Sequence, residues 1–419
     1  MKVISLLLLS SLIFSAAFSQ NNKALKSEKL KSYFPPAGSW MHRNSMEAGF
    51  DSIKLAEAIN LAKKSESVTP RDQEISQIMS FGKEPFGEGT GPFSTRGQQT
   101  GIIIHKGYII ASWGEPERVD MTHSVTKSFL STIVGLAVAE KLINTASDTI
   151  SGYVPGVEFY DPRGTISDQP GKHELFKPFA GAHNSKITWD DMLRQASDWE
   201  GTLWGKPDWA DRPANNPREW LNRKRNQPGT VFEYNDVRVN VLALAATNVW
   251  RMPLPRVLRE KIMDPIGASG TWRWMGNRNA WIVLDGEPVQ SVSGGGHWGG
   301  GIFINAYDMA RFGLLTLHRG NWSGRQLISE EWIKNSLTPS KANSGYGYMN
   351  FYLNTDNKFI PSAPASAFAH VGNGANYIYV DPENYLVIVL RWIEAKSLNG
   401  IIEKVLASFN RNNRKSERE

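Results

Sequence analysis

Ser124-Val125-Thr126-Lys127 is the part of this chain whose residue types and spacing most directly suggest chemistry. A serine hydroxyl is a weak nucleophile until something takes its proton. A lysine three residues on lies one helical turn away on the same face, and a neutral amine there can take it. Alone, the pattern is weak: Ser124 reads equally as a helix cap and Lys127 as a surface lysine. The chain also holds a second copy, Ser80-Phe81-Gly82-Lys83. There Gly82 and the nearby Pro85 argue against a helix, so those two side chains need not meet. Ser124 is set apart by the apolar stretch on its C-terminal side. Phe129, Leu130, Ile133, Val134, Ala137 and Val138 leave hardly any polar face, which predicts a helix buried all round. Such a helix is a rigid support for a nucleophile at its N-terminus, where the dipole and free backbone N–H groups favour developing negative charge.

Two later elements join this one, Tyr234-Asn235-Asp236 and His370-Val371-Gly372. Together the three resemble, in order, the motifs of the serine β-lactamase/penicillin-binding-protein superfamily. The resemblance is greatest to class C-related serine hydrolases: esterases, D-amino-acid peptidases and 6-aminohexanoate-dimer hydrolases. It covers roughly residues 95–395 and extends to flanks such as Pro228 to Tyr234, Gly299 to Leu315 and His370 to Asp381. The resemblance implies that Ser124 attacks a carbonyl carbon and is acylated, with Lys127 as general base or proton relay. It implies that Tyr234 shares that network and protonates the leaving group. It makes the backbone N–H groups of Ser124 and Asn373 the oxyanion hole, and it places Asp236, His370 and Gly372 at the substrate.

Two departures from the family pattern matter. Asp236 stands where the family usually has asparagine. A carboxylate near Lys127 favours the ammonium and opposes its use as a base. Tyr234 then carries more of the proton traffic, or Asn235 takes the amide's place, or Asp236 is a helix cap facing away. His370 and Val371 stand where penicillin-recognising enzymes have lysine and a hydroxyl residue, groups suited to a substrate carboxylate. The expectation is ester or amide hydrolysis with weak or no β-lactamase activity. Alternatives are a D,D-carboxypeptidase or D-aminopeptidase acting on wall peptides, and an inactive binding protein on the same fold.

The elements that must position these residues are legible in outline. Asp51 caps a helix with Ile53, Ala56 and Ile59 at helical spacing. Gly101 to Ile104 and Tyr108 to Ala111 flank Lys106-Gly107, a hairpin signal. Helices are expected at Trp189 to Gln195, Asp236 to Trp250, Leu254 to Met263, Asp308 to Leu317 and Glu330 to Ser336. Strands come next at Tyr377 to Val380 and Leu386 to Leu390, then a helix from Ile401 to Phe409. The economical fold is α/β (α+β): an antiparallel sheet made from both chain ends, flanked by N- and C-terminal helices, with a mostly helical subdomain inserted at about 116–290. A site then forms in the cleft between the two parts. Trp204 and Trp209, in the irregular middle, are candidates to line an apolar acyl pocket.

Several classes are excluded. No serine sits in Gly-x-Ser-x-Gly, so an α/β-hydrolase elbow is unsupported. The glycine-rich stretch Gly294 to Gly301, around His297 and Trp298, lacks the ending of a phosphate loop. His173-Glu174 begins a zinc-protease pattern without its second histidine, so neither metal nor cofactor is expected. The net charge of +6 is dispersed except in the tail 411–419, which argues against a nucleic-acid partner; the resemblance implies a small ester, amide or peptide as the substrate. Lys2, the apolar Val3 to Phe14 and Ala17-Phe18-Ser19 read as a signal peptide over 1–19, which predicts a secreted or periplasmic protein. The run is shorter than the roughly 20 residues of a membrane span. A surface arm at 20–50 and a hydrolase domain at 51–410 complete the expected organisation. The chain has no cysteine, so a core of this size must stabilise it without disulfides.

Overall fold

The strongest strand-forming runs lie near the two chain ends, and in the computed structural model they pair. The structure describes residues 32–162, 175–213 and 223–409. Contacts divide the chain into Met1–Tyr33, of which only residues 32 and 33 are described, and Phe34–Glu419. The expected signal peptide, His173-Glu174 and the tail 411–419 lie outside the described residues.

Strand β1 (Thr100–His105) turns at Lys106-Gly107 into β2 (Tyr108–Trp113). The later strands are β3 (Phe351–Leu353), β4 (Phe368–Gly372), β5 (Asn376–Asp381) and β6 (Leu386–Arg391). They form one six-stranded sheet in the order β3-β4-β5-β6-β1-β2. Every pairing is antiparallel. The join between the chain ends is β1 against β6, with Thr100 opposite Arg391 and His105 opposite Leu386. Strands β1, β5 and β6 are buried along their whole length because both faces of the sheet are covered.

Alternation divides the two covers. Ile103, Tyr379, Ile388 and Leu390 face a layer made by helices α1 (Ser52–Lys64) and α6 (Leu398–Ala407). Ile102, Ile104, Ile378, Val387 and Val389 face helix α5 (Ala306–Leu317) and the larger core beyond it. Asp51 caps α1 as expected, accepting from the amides of Ile53 and Lys54. The buried face of α1 differs from the expected one: Leu55, Ala58 and Ala62 point inward, while Ile53 is 74% exposed. Small alanines let α6 approach closely, and that packing outweighs the larger isoleucine.

Helix α2 (Gln73–Phe81) precedes β1. The segment between β2 and β3 carries helices α3 (Thr126–Ala139) and α4 (Asp236–Trp250), together with short antiparallel ribbons. Helix α3 is buried from Thr126 to Ala137, as its apolar sequence requires. Helix α2 contains Ser80, contrary to expectation. It ends at Gly82, so Lys83 lies beyond the helix and both side chains are exposed. Among the described residues no helix is long and apolar enough to cross a membrane.

Candidate active site

Ser124 sits in a single 3-10 turn, His123–Val125, that leads directly into α3. The turn is pinned by hydrogen bonds from the Thr122 amide to the Ile302 carbonyl (2.9 Å) and from the Ile302 amide to Thr126 Oγ1 (2.9 Å). It is pressed from the sheet side by the end of β4. A Cβ on Gly372 would collide with the Thr122 carbonyl and stand 3.3 Å from the Ser124 amide nitrogen, so only glycine admits the strand here. The backbone of Gly372 and Asn373 therefore runs alongside the serine. Ser124 is half-buried and lines a cavity of about 500 Å³ with Arg212, Tyr234, Tyr352, Gly372 and Asn373.

Lys127 Nζ lies 2.8 Å from Ser124 Oγ and 2.5 Å from Asp236 Oδ1. Both charged groups are buried. Asp236 is the first residue of α4 and points at the lysine. The cap is Asn235, whose Oδ1 accepts from the Arg238 amide (3.1 Å) while its Nδ2 donates to the Asp208 carbonyl (2.7 Å). Two of the expected alternatives are thereby corrected: Asp236 is not a cap facing away, and Asn235 does not stand in for the family's amide. A Cβ on Gly295 would strike both Asp236 Oδ1 and Lys127 Nζ, which explains one glycine of the Gly294 to Gly301 stretch.

The second Asp236 oxygen meets Arg212 Nη1 at 2.8 Å. Arg212 also binds Asp211 Oδ1 at 2.6 Å and donates from Nη2 to His297 Nδ1 at 2.9 Å. His297 Nε2 reaches Glu84 Oε2 at 2.8 Å, and Asp211 accepts from the Asp236 amide. Burial lowers the Lys127 pKa from the ordinary lysine value, with Asp236 opposing the change and Arg212 reinforcing it. Burial by itself would raise the Asp236 carboxyl, but Lys127, Arg212 and His297 outweigh it and hold that carboxyl well below its usual range. Glu84, Asp211 and His297 each bring a ligand-type atom within 4.8 Å of the others. The Arg212 guanidinium already bridges Asp211 and His297 and acts as the cation of this cluster.

Tyr234 covers the lysine from the other side, its ring centroid 4.7 Å from Nζ. Its hydroxyl donates to Asn350 Oδ1 at 3.2 Å, and the residue lines the cavity together with Ser124. Burial raises the Tyr234 pKa, so the phenol stays protonated. Asn350 is a hub: its Nδ2 donates to the Ser124 carbonyl (2.8 Å) and to the Val371 carbonyl, and its amide donates to Tyr346 Oη (2.8 Å). It holds a left-handed backbone with φ of 63°, a conformation asparagine tolerates better than most residues.

The structure thus brings together Ser124, Lys127, Tyr234, Asp236, Gly372 and Asn373, but not three other expected residues. His370 is fully buried beneath the cavity, 2.9 Å from Ser128 Oγ and packed among Phe312, Phe351 and Phe368. Strand alternation sends its neighbour Val371 to the cavity wall instead. Trp204 is buried against Phe159, and Trp209 packs on Phe86; neither lines the cavity at Ser124. The sequence pattern does not disclose Phe81, Arg212 or Asn350. Phe81 lines the cavity and packs on His297 with ring centroids 4.2 Å apart. The glycines around His297 are the one local signal: a Cβ on Gly295 would leave no room for Asp236 and Lys127.

Comparisons with known proteins identify the family and the fold. A profile of the beta-lactamase family matches residues 111–392, more than half of the chain. An Escherichia coli protein provisionally named D-alanyl-D-alanine carboxypeptidase is 24% identical over 197 residues, 39% of this chain and 45% of that protein. The 6-aminohexanoate-dimer hydrolase of Paenarthrobacter ureafaciens is 26% identical over 229 residues, 53% of this chain and 51% of the relative. The match therefore spans about half the length of these curated relatives. A solved family VIII carboxylesterase shares the fold, with a TM-score of 0.52 at 14% identity, over 86% of this chain and 99% of that one.

Proposed function

We infer, since the chain belongs to the beta-lactamase family, that it is an exported serine hydrolase cleaving an ester or amide through a Ser124 acyl-enzyme. The observation that carries this reading is Lys127 Nζ at 2.8 Å from Ser124 Oγ, within an open cavity. Neutral Lys127 takes the hydroxyl proton as Oγ bonds to the substrate carbonyl carbon. The carbonyl π electrons move to oxygen, which the backbone N–H groups of Ser124 and Asn373 receive. The tetrahedral adduct collapses, the bond to the leaving group breaks, and that group takes a proton through Tyr234. Water then attacks the acyl carbon, gives its proton back through the same groups and frees Ser124.

Neutral aromatic and aliphatic side chains (Phe81, Tyr352, Val371, Ile393) line much of the cavity and favour an uncharged or apolar acyl group. His370 lies away from the wall, so the place of the family's lysine offers no cation to a penicillin carboxylate. This supports weak or no β-lactamase activity. In the same reading, residues 51–410 form the hydrolase domain with the helical part inserted at about 116–290, and the Lys2 to Ser19 pattern supports export.

The test is labelling by a fluorophosphonate, followed by a panel of short esters, amides, D-amino-acid peptides and a chromogenic cephalosporin. Wild type should label and Ser124→Ala should not, with hydrolysis falling by on the order of 10⁴ or more. A folded wild type that never labels would favour a second reading, a binding protein with a retired site. The 2.5 Å Lys127–Asp236 pair gives that reading its basis, because a lysine held as ammonium is no base.

A further inference from the structure

The central difficulty of this site is a carboxylate against the lysine that must lose its proton. The remedy lies on a different segment of the chain. Arg212 comes after the 3-10 turn Asp208–Ala210 and reaches the side of Asp236 opposite Lys127. Its backbone is left-handed, with φ of 49°, an unusual state for a bulky side chain that the surrounding ion pairs hold in place. The two cations sit on separate oxygens of one carboxylate, Lys127 on Oδ1 at 2.5 Å and Arg212 on Oδ2 at 2.8 Å.

We propose that Arg212 is the positioning residue that frees Lys127 to act as a base, by taking up the Asp236 charge that would otherwise hold the lysine as ammonium. The proposal rests on the acyl-enzyme reading above and extends it. Guanidinium keeps its proton under all working conditions, so the member of this trio that can give one up is Lys127. A family asparagine would avoid the conflict by carrying no charge. Here an aspartate and an arginine together present Lys127 with a nearly neutral neighbour, and the carboxylate still accepts a hydrogen bond from it.

Other groups face the same centre. Asp211, on the arginine's own segment, competes for Arg212 Nη1, and Glu84 engages Arg212's partner His297. His297 Nδ1 stands 3.7 Å from Asp236 Oδ2. Tyr234 and Tyr352 face Lys127 as neutral phenols, and His123 lies on the nucleophile turn near both Lys127 and Arg391. Arg212 is the fixed cation in direct contact with Asp236. It also lines the cavity, so a role in gripping an anionic substrate is the rival explanation.

The rate of Ser124 labelling by a neutral fluorophosphonate, followed from pH 5 to 10, separates these. Activity requires neutral Lys127, so the rate rises through its pKa. Arg212→Gln should move that acid limb up by about 1–2 pH units, with the wild-type rate approached above the new limb. Arg212→Lys should restore most of the original profile. Asp236→Asn should move the limb down by about one unit or more. In the Asp236→Asn background, Arg212→Gln should shift the limb by less than half as much. An unmoved limb in Arg212→Gln overturns the proposal, whether the rate falls evenly at all pH or only anionic esters suffer in KM. If Arg212→Gln does not fold, an unmoved limb in Asp236→Asn overturns it equally. Wild type that fails to label at every pH sinks the acyl-enzyme reading itself, and the role of Arg212 with it.

Discussion

Two walls meet at Ser124, and they are built from opposite materials. One wall is nearly uncharged: the 3-10 turn, the end of β4 at Gly372, and Asn350 bonded to the backbone of both. The other is a chain of charges from Lys127 through Asp236, Arg212 and His297 to Glu84, buried at Lys127, Asp236 and His297 and partly exposed at Arg212. The first positions by shape and backbone hydrogen bonds, which are cheap to bury when satisfied. The second positions by charge, which is stable only while every partner is present. The uncharged wall should therefore fail in rate before it fails in stability, and the charged wall the reverse.

The largest effect that would expose this difference is Asp236→Ala. It leaves Lys127 as a buried cation without its anion and takes from the part-exposed Arg212 one of its two carboxylates, and should cost about 3–5 kcal/mol of unfolding free energy. A denaturant midpoint close to wild type would show that the charged wall is not a stabilised unit. Gly372→Ala attacks the opposite wall. The new methyl would push β4 away from Thr122 and Ser124, displacing the Asn373 N–H that the proposed mechanism uses as an oxyanion donor. Hydrolysis should drop by about 10²–10³, with a smaller stability loss of about 1–3 kcal/mol. If Gly372→Ala is the less stable of the two variants, the comparison is wrong.

The same contrast explains how much is legible in the sequence. The sheet from both chain ends, the all-round burial of α3 and the meeting of Ser124, Lys127, Tyr234 and Gly372 come from local patterns: apolar runs, a hairpin turn and short motifs. The uncharged wall is mostly made of such patterns. The charged wall gathers Glu84, Asp211, Arg212, Asp236 and His297 from four separate stretches of chain, and none carries a local signature of the others. Arg212 lies in an irregular stretch whose residues look like any solvated loop. Errors of face have a different cause. The motif neighbours of His370 point to the substrate, but strand alternation turns its side chain under the sheet. The size of Ile53 points to the core, but small alanines win the closer packing of α1.

Asn350 offers a finer test, because it ties the two walls together through Tyr234. Asn350→Ala would remove a hydrogen bond from the Ser124 carbonyl, the Val371 carbonyl and the Tyr234 hydroxyl, a cost of about 1–3 kcal/mol. It should lower kcat more than it raises KM, since the groups it holds are the reacting ones of the proposed mechanism. An unchanged kcat would mean that Tyr234 keeps its place without the amide.

The last effect concerns acid, and it separates the walls by pH. His370 and His123, both on the uncharged side, are lowered by burial to about 3 and about 4. For a histidine whose folded pKa lies below the ordinary 6.5, the unfolded state binds more protons between the two values. Its contribution is complete above about pH 6.5 and is lost as the pH falls towards the folded pKa. At pH 5 each costs about 2 kcal/mol relative to neutral pH. Asp236 has the opposite sign of linkage: held below its usual range, its contribution persists above the unfolded carboxylate value near 3.8 and fades only in stronger acid. Of the two walls, the uncharged one should therefore supply the instability between pH 6.5 and 4; His105 and His318, lowered by burial to about 3 and about 4, add to it with the same sign from outside both. His370→Asn should reduce the loss of unfolding free energy between pH 7 and pH 5 by about 2 kcal/mol, whatever it costs at neutral pH. An equal loss in wild type and variant would move the acid-sensitive element elsewhere, and Asp236→Asn measured over the same interval would then show whether the charged wall holds it.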